Sequence, residues 1–298
     1  MRIASLDGRA VLLGQNANRN PGRDLALDIA EASVDIFGPT PGDVFARWTE
    51  FTAWAADVDV DADQRSHPYD PAELGPPSPT PSQVFAVGLN YLDHATETDH
   101  AVPEHPLVFT KFPSSLVGPV AVVQLSGDRV DWEAELVVVI GTGGRDISEA
   151  GAWDAVAGLT VGQDLSDRTV QQWGAPAAQF ALGKSFAGYS PTGPAVVTID
   201  EVRRFVDPDA LRITCEVTDP DGETRTLQDG STRDLIFGVP TLIARLSAVV
   251  ELRPGDLVFT GTPSGVGVGR TPPMFLKDGQ RLVSTIQAVG RIAQELRT

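Results

Sequence analysis

The chain has almost no cysteine: Cys215 stands alone among 298 residues. One thiol excludes an intrachain disulfide and a thiolate zinc cluster. In the alternating run LRITCEV (211 to 217) it reads as a small buried strand residue rather than a reactive group. Basic residues are also scarce, with 23 Lys and Arg against 40 Asp and Glu and a net charge of -17. Nucleic acids and anionic membranes both demand clustered positive charge, so neither is expected as a partner. A small anionic substrate remains open if positive charge is supplied locally. No apolar run approaches the ~20 residues that span a bilayer, and MRIASLDGRA holds no signal-like apolar core. A cytoplasmic protein is therefore the expectation. The phosphate-cradling pattern G-x-x-x-x-G-K-[ST] is missing as well.

What the chain has in quantity is glycine (29) and proline (23), a turn-rich composition that suits a β architecture with few helices. Strands are expected at VFAVGLN (84 to 90), LVFTKF (107 to 112), AELVVVIG (134 to 141), LRITCEVT (211 to 218), DLVFTGT (256 to 262) and RLVSTIQAVG (281 to 290). From Pro41, the residues Val44, Phe45, Trp48, Phe51 and Trp54 recur at helical intervals, an aromatic stripe of the core-facing kind. Further helices are expected over 148 to 158 and 239 to 250. The proline-dense stretch between residues 68 and 81 reads as a stiff linker. The expected layout is a small N-terminal α+β domain over 1 to 75, a linker over 76 to 82, and a catalytic domain over 83 to 298.

Three stretches carry candidate chemistry. In DWEAEL (131 to 136), Glu133 and Glu135 stand at i and i+2, so a strand places both carboxylates on one face, about 7 Å apart along the backbone. With Asp164, at the end of the run AVAGLTVG, they would form a three-carboxylate site for a hard divalent cation. The alternative is that the pair decorates the solvent face of an edge strand. In VGLNYLDHATE (87 to 97), His94 and Glu97 at i and i+3 can exchange a proton near neutral pH, or serve a structural role. In ALGKSFAGYSPTGP (181 to 194), Lys184 lies among small residues where it can hold an anionic carboxylate. The Gly- and Thr-rich FTGTPSGVGVG (259 to 269) offers backbone N–H groups to an oxyanion.

Taken in order, VGLNYLDHATE, PLVFTKFPSSLVG, DWEAELVVVIG, GLTVGQDLSDRTVQ, LGKSFAGYSPTGP and PGDLVFTGTPSGVG resemble the fumarylacetoacetate hydrolase family from about residue 83 to the C-terminus. The resemblance implies a mixed α+β, β-rich fold with a β-roll-like catalytic domain, in a protein that is often a homodimer. It implies Mg²⁺ or Mn²⁺, with Ca²⁺ as a crystal substitute, held by Glu133, Glu135 and Asp164. It places His94 and Glu97 on a lid over the substrate and Lys184 in the site. It assigns Lys111, Arg168, Gln171, Lys184 and Thr262 to substrate binding. Two stretches depart from the family pattern: QDLSDR (163 to 168) in place of N-D-x-S-x-R, and TDHAVPEHP (98 to 106) after Glu97.

The implied substrate is a small anionic 2-oxo acid gripped by Lys184, Arg168, Gln171 and Thr262, with the metal as a Lewis acid. The expected reaction is hydrolysis of a C–C bond in a 2,4-diketo acid of the acylpyruvate, fumarylpyruvate or diketo-deoxy sugar acid type. Glu97 would orient His94, which would activate the water. The alternatives are an oxaloacetate-type decarboxylase or a keto–enol isomerase of the same family. A non-catalytic protein binding metal and dicarboxylate is the reading from another class.

Overall fold

The computed structural model describes residues 1–14, 24–93, 103–175 and 178–298, which form a twelve-stranded mixed sheet, a five-stranded sheet and a two-stranded ribbon. Helices are short, and the fold is mixed α+β and β-rich as the sequence implies. Its centre is the strand Ala134–Ile140, in which all seven residues are buried. It pairs antiparallel with Val156–Gln163 on one side, where Glu135 faces Gly162, and with Leu257–Phe259 on the other, where Val137 faces Phe259.

The run VVVI lacks polar alternation because both faces of this strand are covered. Leu136, Val138 and Ile140 join a core with Ile213, Cys215, Val217, Leu282 and Ile286 of the five-stranded sheet. Val137 and Val139 join a second core with Phe45, Phe51 and Phe259. Cys215 is fully buried and its thiol is pushed up to about 12, burial being the main cause. It is a packing residue.

The aromatic stripe from Pro41 folds as two helices, Pro41–Ala46 and Trp48–Ala55, because Arg47 leaves helical geometry at φ -122, ψ 37. The first helix starts where the sequence chemistry favours it: Thr40 caps it, exchanges hydrogen bonds with Asp43, and Pro41 occupies the first turn. The break lets Phe45 stack on Trp48 at 5.9 Å, while Phe51 meets Phe37 edge-on at 5.6 Å.

The N-terminal strands extend the large sheet. Arg2–Leu6 pairs antiparallel with Ser190–Val197, through Arg2 with Val197 and Ile3 with Val196. The proline-dense stretch is packed down: Leu74–Gly75 pairs with Ser5 and Leu6, and Ser78 Oγ donates to the Gly255 carbonyl at 2.7 Å.

Other boundaries shift for local reasons. The strand expected over 281 to 290 ends at Ile286, and the chain turns back into a partner strand, Gly290–Arg297. The helix expected over 148 to 158 ends at Ala155, because Val156 opens the strand beside the centre. The helix expected over 239 to 250 spans Val239–Ser247.

Phe51 is fully buried and joins the N-terminal helices to the central strand. Phe51→Ala is expected to lower unfolding stability by about 3–5 kcal/mol in urea denaturation. A loss below about 1 kcal/mol would show that the N-terminal layer is not part of this core.

Candidate active site

The site lies where the central strand begins and its antiparallel neighbour ends, so two chain crossings deliver its carboxylates together. Glu135 is the second residue of Ala134–Ile140, and Asp164 directly follows Val156–Gln163. Glu133 occupies the break between Val130–Asp131 and the central strand. One ligand oxygen from each of Glu133, Glu135 and Asp164 lies within 4.8 Å of the others, and all three residues are buried. The structure thus brings the expected trio together, away from any solvent face.

Buried backbone groups at the break need partners, and two glutamines provide them. Gln163 Oε1 accepts from the Glu133 N–H at 2.9 Å, while its Nε2 donates to Ser284 Oγ at 2.8 Å. Gln228 Oε1 accepts from the Ala134 N–H at 3.0 Å, and its Nε2 donates to Thr262 Oγ1 at 2.7 Å. Gln163 is the residue by which QDLSDR departs from the family pattern, and its amide ties the Glu133 backbone to the second sheet.

Glycine explains two further motifs. At Gly261 a Cβ would fall 2.8 Å from Asn90 Cβ, and φ is +102. The bare backbone can therefore donate its N–H to Glu135 Oε2 at 2.8 Å. At Gly183 a Cβ would fall 2.8 Å from the Gln171 nitrogen. Its absence lets the turn Phe180–Gly183 lie against Arg168–Gln171, which brings Lys184 to the carboxylates.

Cations surround the trio. Lys184 Nζ donates to Glu133 Oε2 at 2.6 Å and to Asp164 Oδ2 at 2.5 Å. Lys111 Nζ donates to Asp164 Oδ1 and the Lys184 carbonyl, both at 2.5 Å. Arg168 donates to Glu133 Oε1 at 2.7 Å, to Asp131 Oδ2 through Nε at 2.9 Å, and to Gln171 Oε1 at 3.0 Å. Burial opposes the charge on Lys184, yet Asp164 and Glu133 hold its pKa above the ordinary value. For Lys111 burial prevails and the pKa falls. Glu135 is driven well above the usual carboxylate range by burial, then by Asp164 and Glu133.

The cavity measures 460 Å³ and is lined by Glu133, Glu135, Asp164, Arg168, Lys184 and Thr262, among others. Gln171 also lines it; with its carbonyl given to Arg168, its NH₂ is what it offers a ligand. Thr262 donates its hydroxyl to the Ala134 carbonyl at 2.9 Å, so toward a ligand that oxygen acts as an acceptor. Lys111 does not line the cavity and sits behind Asp164. His94 and Glu97 lie outside the described residues.

The sequence reading missed Asp131 and Asn90. Asp131 is fully buried and accepts from Arg168, from the Trp132 N–H at 2.8 Å, and from the Gly267 and Val268 N–H groups at 2.7 and 2.9 Å. It stands two residues before Glu133, on the same alternation that singled out the glutamates. Asn90 clamps the Phe237 and Thr260 carbonyls at 3.0 and 2.7 Å. This fixes the end of the Val84–Gly88 strand beside Leu89, which adopts a left-handed φ of +56 in the cavity wall.

The donor set fits a divalent cation. Three hard carboxylate oxygens converge, and burial, then the neighbouring Asp164 and Glu133, push Glu135 toward its neutral form. Glu133, Glu135 and Asp164 would hold a divalent metal ion. Chemistry of this kind suits an enzyme that handles small anions with the help of a hard cation.

Comparison with known proteins narrows the class. The family model for the fumarylacetoacetate (FAA) hydrolase C-terminal domain matches residues 83–297. The human mitochondrial protein named oxaloacetate tautomerase FAHD2A is 43% identical over 222 residues, covering 74% of this chain and 68% of the relative. A solved structure from Mycobacterium smegmatis assigned as an HpcE protein is 49% identical, with a TM-score of 0.88, over 100% of this chain and 99% of that one. A fumarylacetoacetate hydrolase from Exiguobacterium antarcticum is 30% identical, with a TM-score of 0.80, over 100% and 98%. The chain belongs to the fumarylacetoacetate hydrolase family. Among the described residues no helix is long and apolar enough to cross a membrane. The cytoplasmic expectation has no counterpart in the human relative, whose name places it in mitochondria.

Glu135→Gln is expected to weaken Mn²⁺ binding, read by calorimetry, by more than the about 10–100-fold typical of supporting residues. Gln163→Leu is expected to fall within that range. Unchanged affinity in Glu135→Gln would remove it from the ligand set.

Proposed function

We propose that the protein is a keto–enol tautomerase acting on oxaloacetate or a closely related 2-oxo acid, dependent on Mg²⁺ or Mn²⁺. The observation that carries this reading is the 43% identity to a named oxaloacetate tautomerase over a segment that contains every residue of the carboxylate and cation cluster. Arg168, the Gln171 NH₂ and Lys184 bind the carboxylate end of the 2-oxo acid. Glu133, Glu135 and Asp164 would hold the metal, which would supply Lewis-acid stabilisation of negative charge on the substrate.

Tautomerisation moves one proton from carbon 3 to the 2-oxo oxygen. It needs a base beside the substrate and a dry site, and no positioned water. Phe109 and Phe180 stack at 5.6 Å and form an apolar wall of the cavity that keeps water from the reacting carbon. Lys184 keeps its proton and offers positive charge to the oxygen. The motif residues His94 and Glu97 are assigned as the proton-carrying pair, a role open to an imidazole and a carboxylate.

C–C hydrolysis of a 2,4-diketo acid, the first expectation from the motifs, is the second reading. Similarity to the Exiguobacterium fumarylacetoacetate hydrolase favours it. It uses the same grip on the 2-oxo acid and adds a water activated by His94.

A homodimer is part of the proposal. The strands Leu107–Thr110 and Val120–Gln124 end their sheets, and they carry the exposed apolar residues Leu107, Val108, Val120 and Val122. Analytical ultracentrifugation tests it, a monomer being the contrary result.

The deciding assay follows enol absorbance, carbon dioxide and acid products with oxaloacetate and acetylpyruvate, before and after chelation and Mg²⁺ return. Metal-dependent enol–keto exchange without carbon dioxide is the expected outcome. In that assay His94→Ala should lose about 10²–10⁴-fold in rate. Acid products from acetylpyruvate alone would instead establish the hydrolase.

A further inference from the structure

Among the described residues three cationic side chains line the cavity, and two of them are already neutralised. Lys184 is held by Glu133 and Asp164, and Arg168 by Asp131 and Glu133. The third, Arg270, also lines the cavity. Its Nη2 donates only to neutral groups, the Leu227 carbonyl at 2.8 Å and the Gly265 carbonyl at 3.1 Å. Its Nε is buried without a partner, and among the described residues no carboxylate pairs with it. The guanidinium carbon stands 5.5 Å from the Trp132 ring centroid.

This cation is held in place. The turn that carries it is fastened to Asp131 through the Gly267 and Val268 N–H groups. The Arg270 and Met274 N–H groups both donate to the Gly267 carbonyl, at 3.3 and 3.0 Å. Asp131 therefore anchors Arg168 with one set of bonds and the Arg270 turn with another.

Charge balance gives the cation a task. Among the described residues of the cluster, and with every group ionised as a bound cation would require of the carboxylates, Asp131, Glu133, Glu135 and Asp164 face the cations Lys111, Lys184 and Arg168, an excess of one negative charge. A divalent metal reverses that to an excess of one positive charge, which matches the single carboxylate of a 2-oxo monoacid. Arg270 adds a further positive charge on the same cavity.

We propose that Arg270 is a specificity-determining residue that receives the second carboxylate of the substrate, so that the site selects 2-oxo dicarboxylates over 2-oxo monocarboxylates. This rests on the 2-oxo acid reading given above and narrows it to a dianionic substrate. A planar guanidinium with free N–H groups suits a carboxylate.

The test measures dissociation constants for oxaloacetate and pyruvate by calorimetry on the Mg²⁺-loaded protein, in the unaltered chain, Arg270→Gln and Arg270→Lys. The unaltered chain should bind oxaloacetate at least about 10-fold tighter than pyruvate, the worth of one charge-assisted hydrogen bond. In Arg270→Gln that ratio should fall about 10–100-fold, and Arg270→Lys should restore part of it. Weakening of both ligands by one common factor would reveal a purely structural role and overturn the proposal. Equal affinities in the unaltered chain would overturn it without any variant, as would failure to bind oxaloacetate. Selective binding of oxaloacetate with no turnover would sink the tautomerase reading and uphold this one.

Discussion

Everything near the cavity depends on one constraint: four carboxylates are buried together at the start of the central strand. Isolated buried charges are driven to neutrality or exposed. Here Lys111, Lys184 and Arg168 balance most of the negative charge, and backbone N–H groups of Gly261, Gly267 and Val268 help satisfy the oxygens. Glu135 is driven well above its ordinary range, by burial first and then by Asp164 and Glu133. A site short of one positive charge, with oxygen donors converging, is built to take a hard cation.

The fold supplies the stiffness that such a cluster needs. Ala134–Ile140 is packed on both faces, so the strand end that bears Glu135 cannot move without disturbing two cores. Gly162, opposite Glu135 in the neighbouring strand, leaves room for Val137 and Phe259, whose atoms a Cβ there would meet at 2.5 and 2.8 Å. Gln163 and Gln228 then fix the backbone at the break from the far side. Loops carry the remaining parts, namely Lys184, Thr262 and Arg270, and each is tied down by a bond to a strand, a neighbouring turn or the carboxylates.

Much of this was legible in the sequence, and the failures have physical causes. The apolar runs at 84, 134, 211 and 256 mark strands because burial there is continuous or alternating, whereas the run at 107 forms a sheet-end strand with Leu107 and Val108 exposed. The strand Ser190–Val197 escaped notice because Pro191, Gly193 and Pro194 normally disqualify an interior strand, and its pairing leaves Thr160 unmatched at an irregularity. Thr224–Ser231 is polar because it is an edge strand. The Glu133, Glu135 and Asp164 trio could be named from spacing and resemblance, since its chemistry is local to three motifs. Gln163, Gln228 and Arg270 could not, because their roles arise only where distant segments meet. Asp131 was visible in DWEAEL but carries no signal by itself that separates an anchor from a ligand.

The most direct test of the central claim is a crystal grown with Mn²⁺ and examined by anomalous scattering. A single strong peak among the Glu133, Glu135 and Asp164 carboxylates is the predicted result. No peak there, or a peak elsewhere with Lys184 still bridging Glu133 and Asp164, would mean that the protein's own cations satisfy the cluster and that the metal reading is wrong.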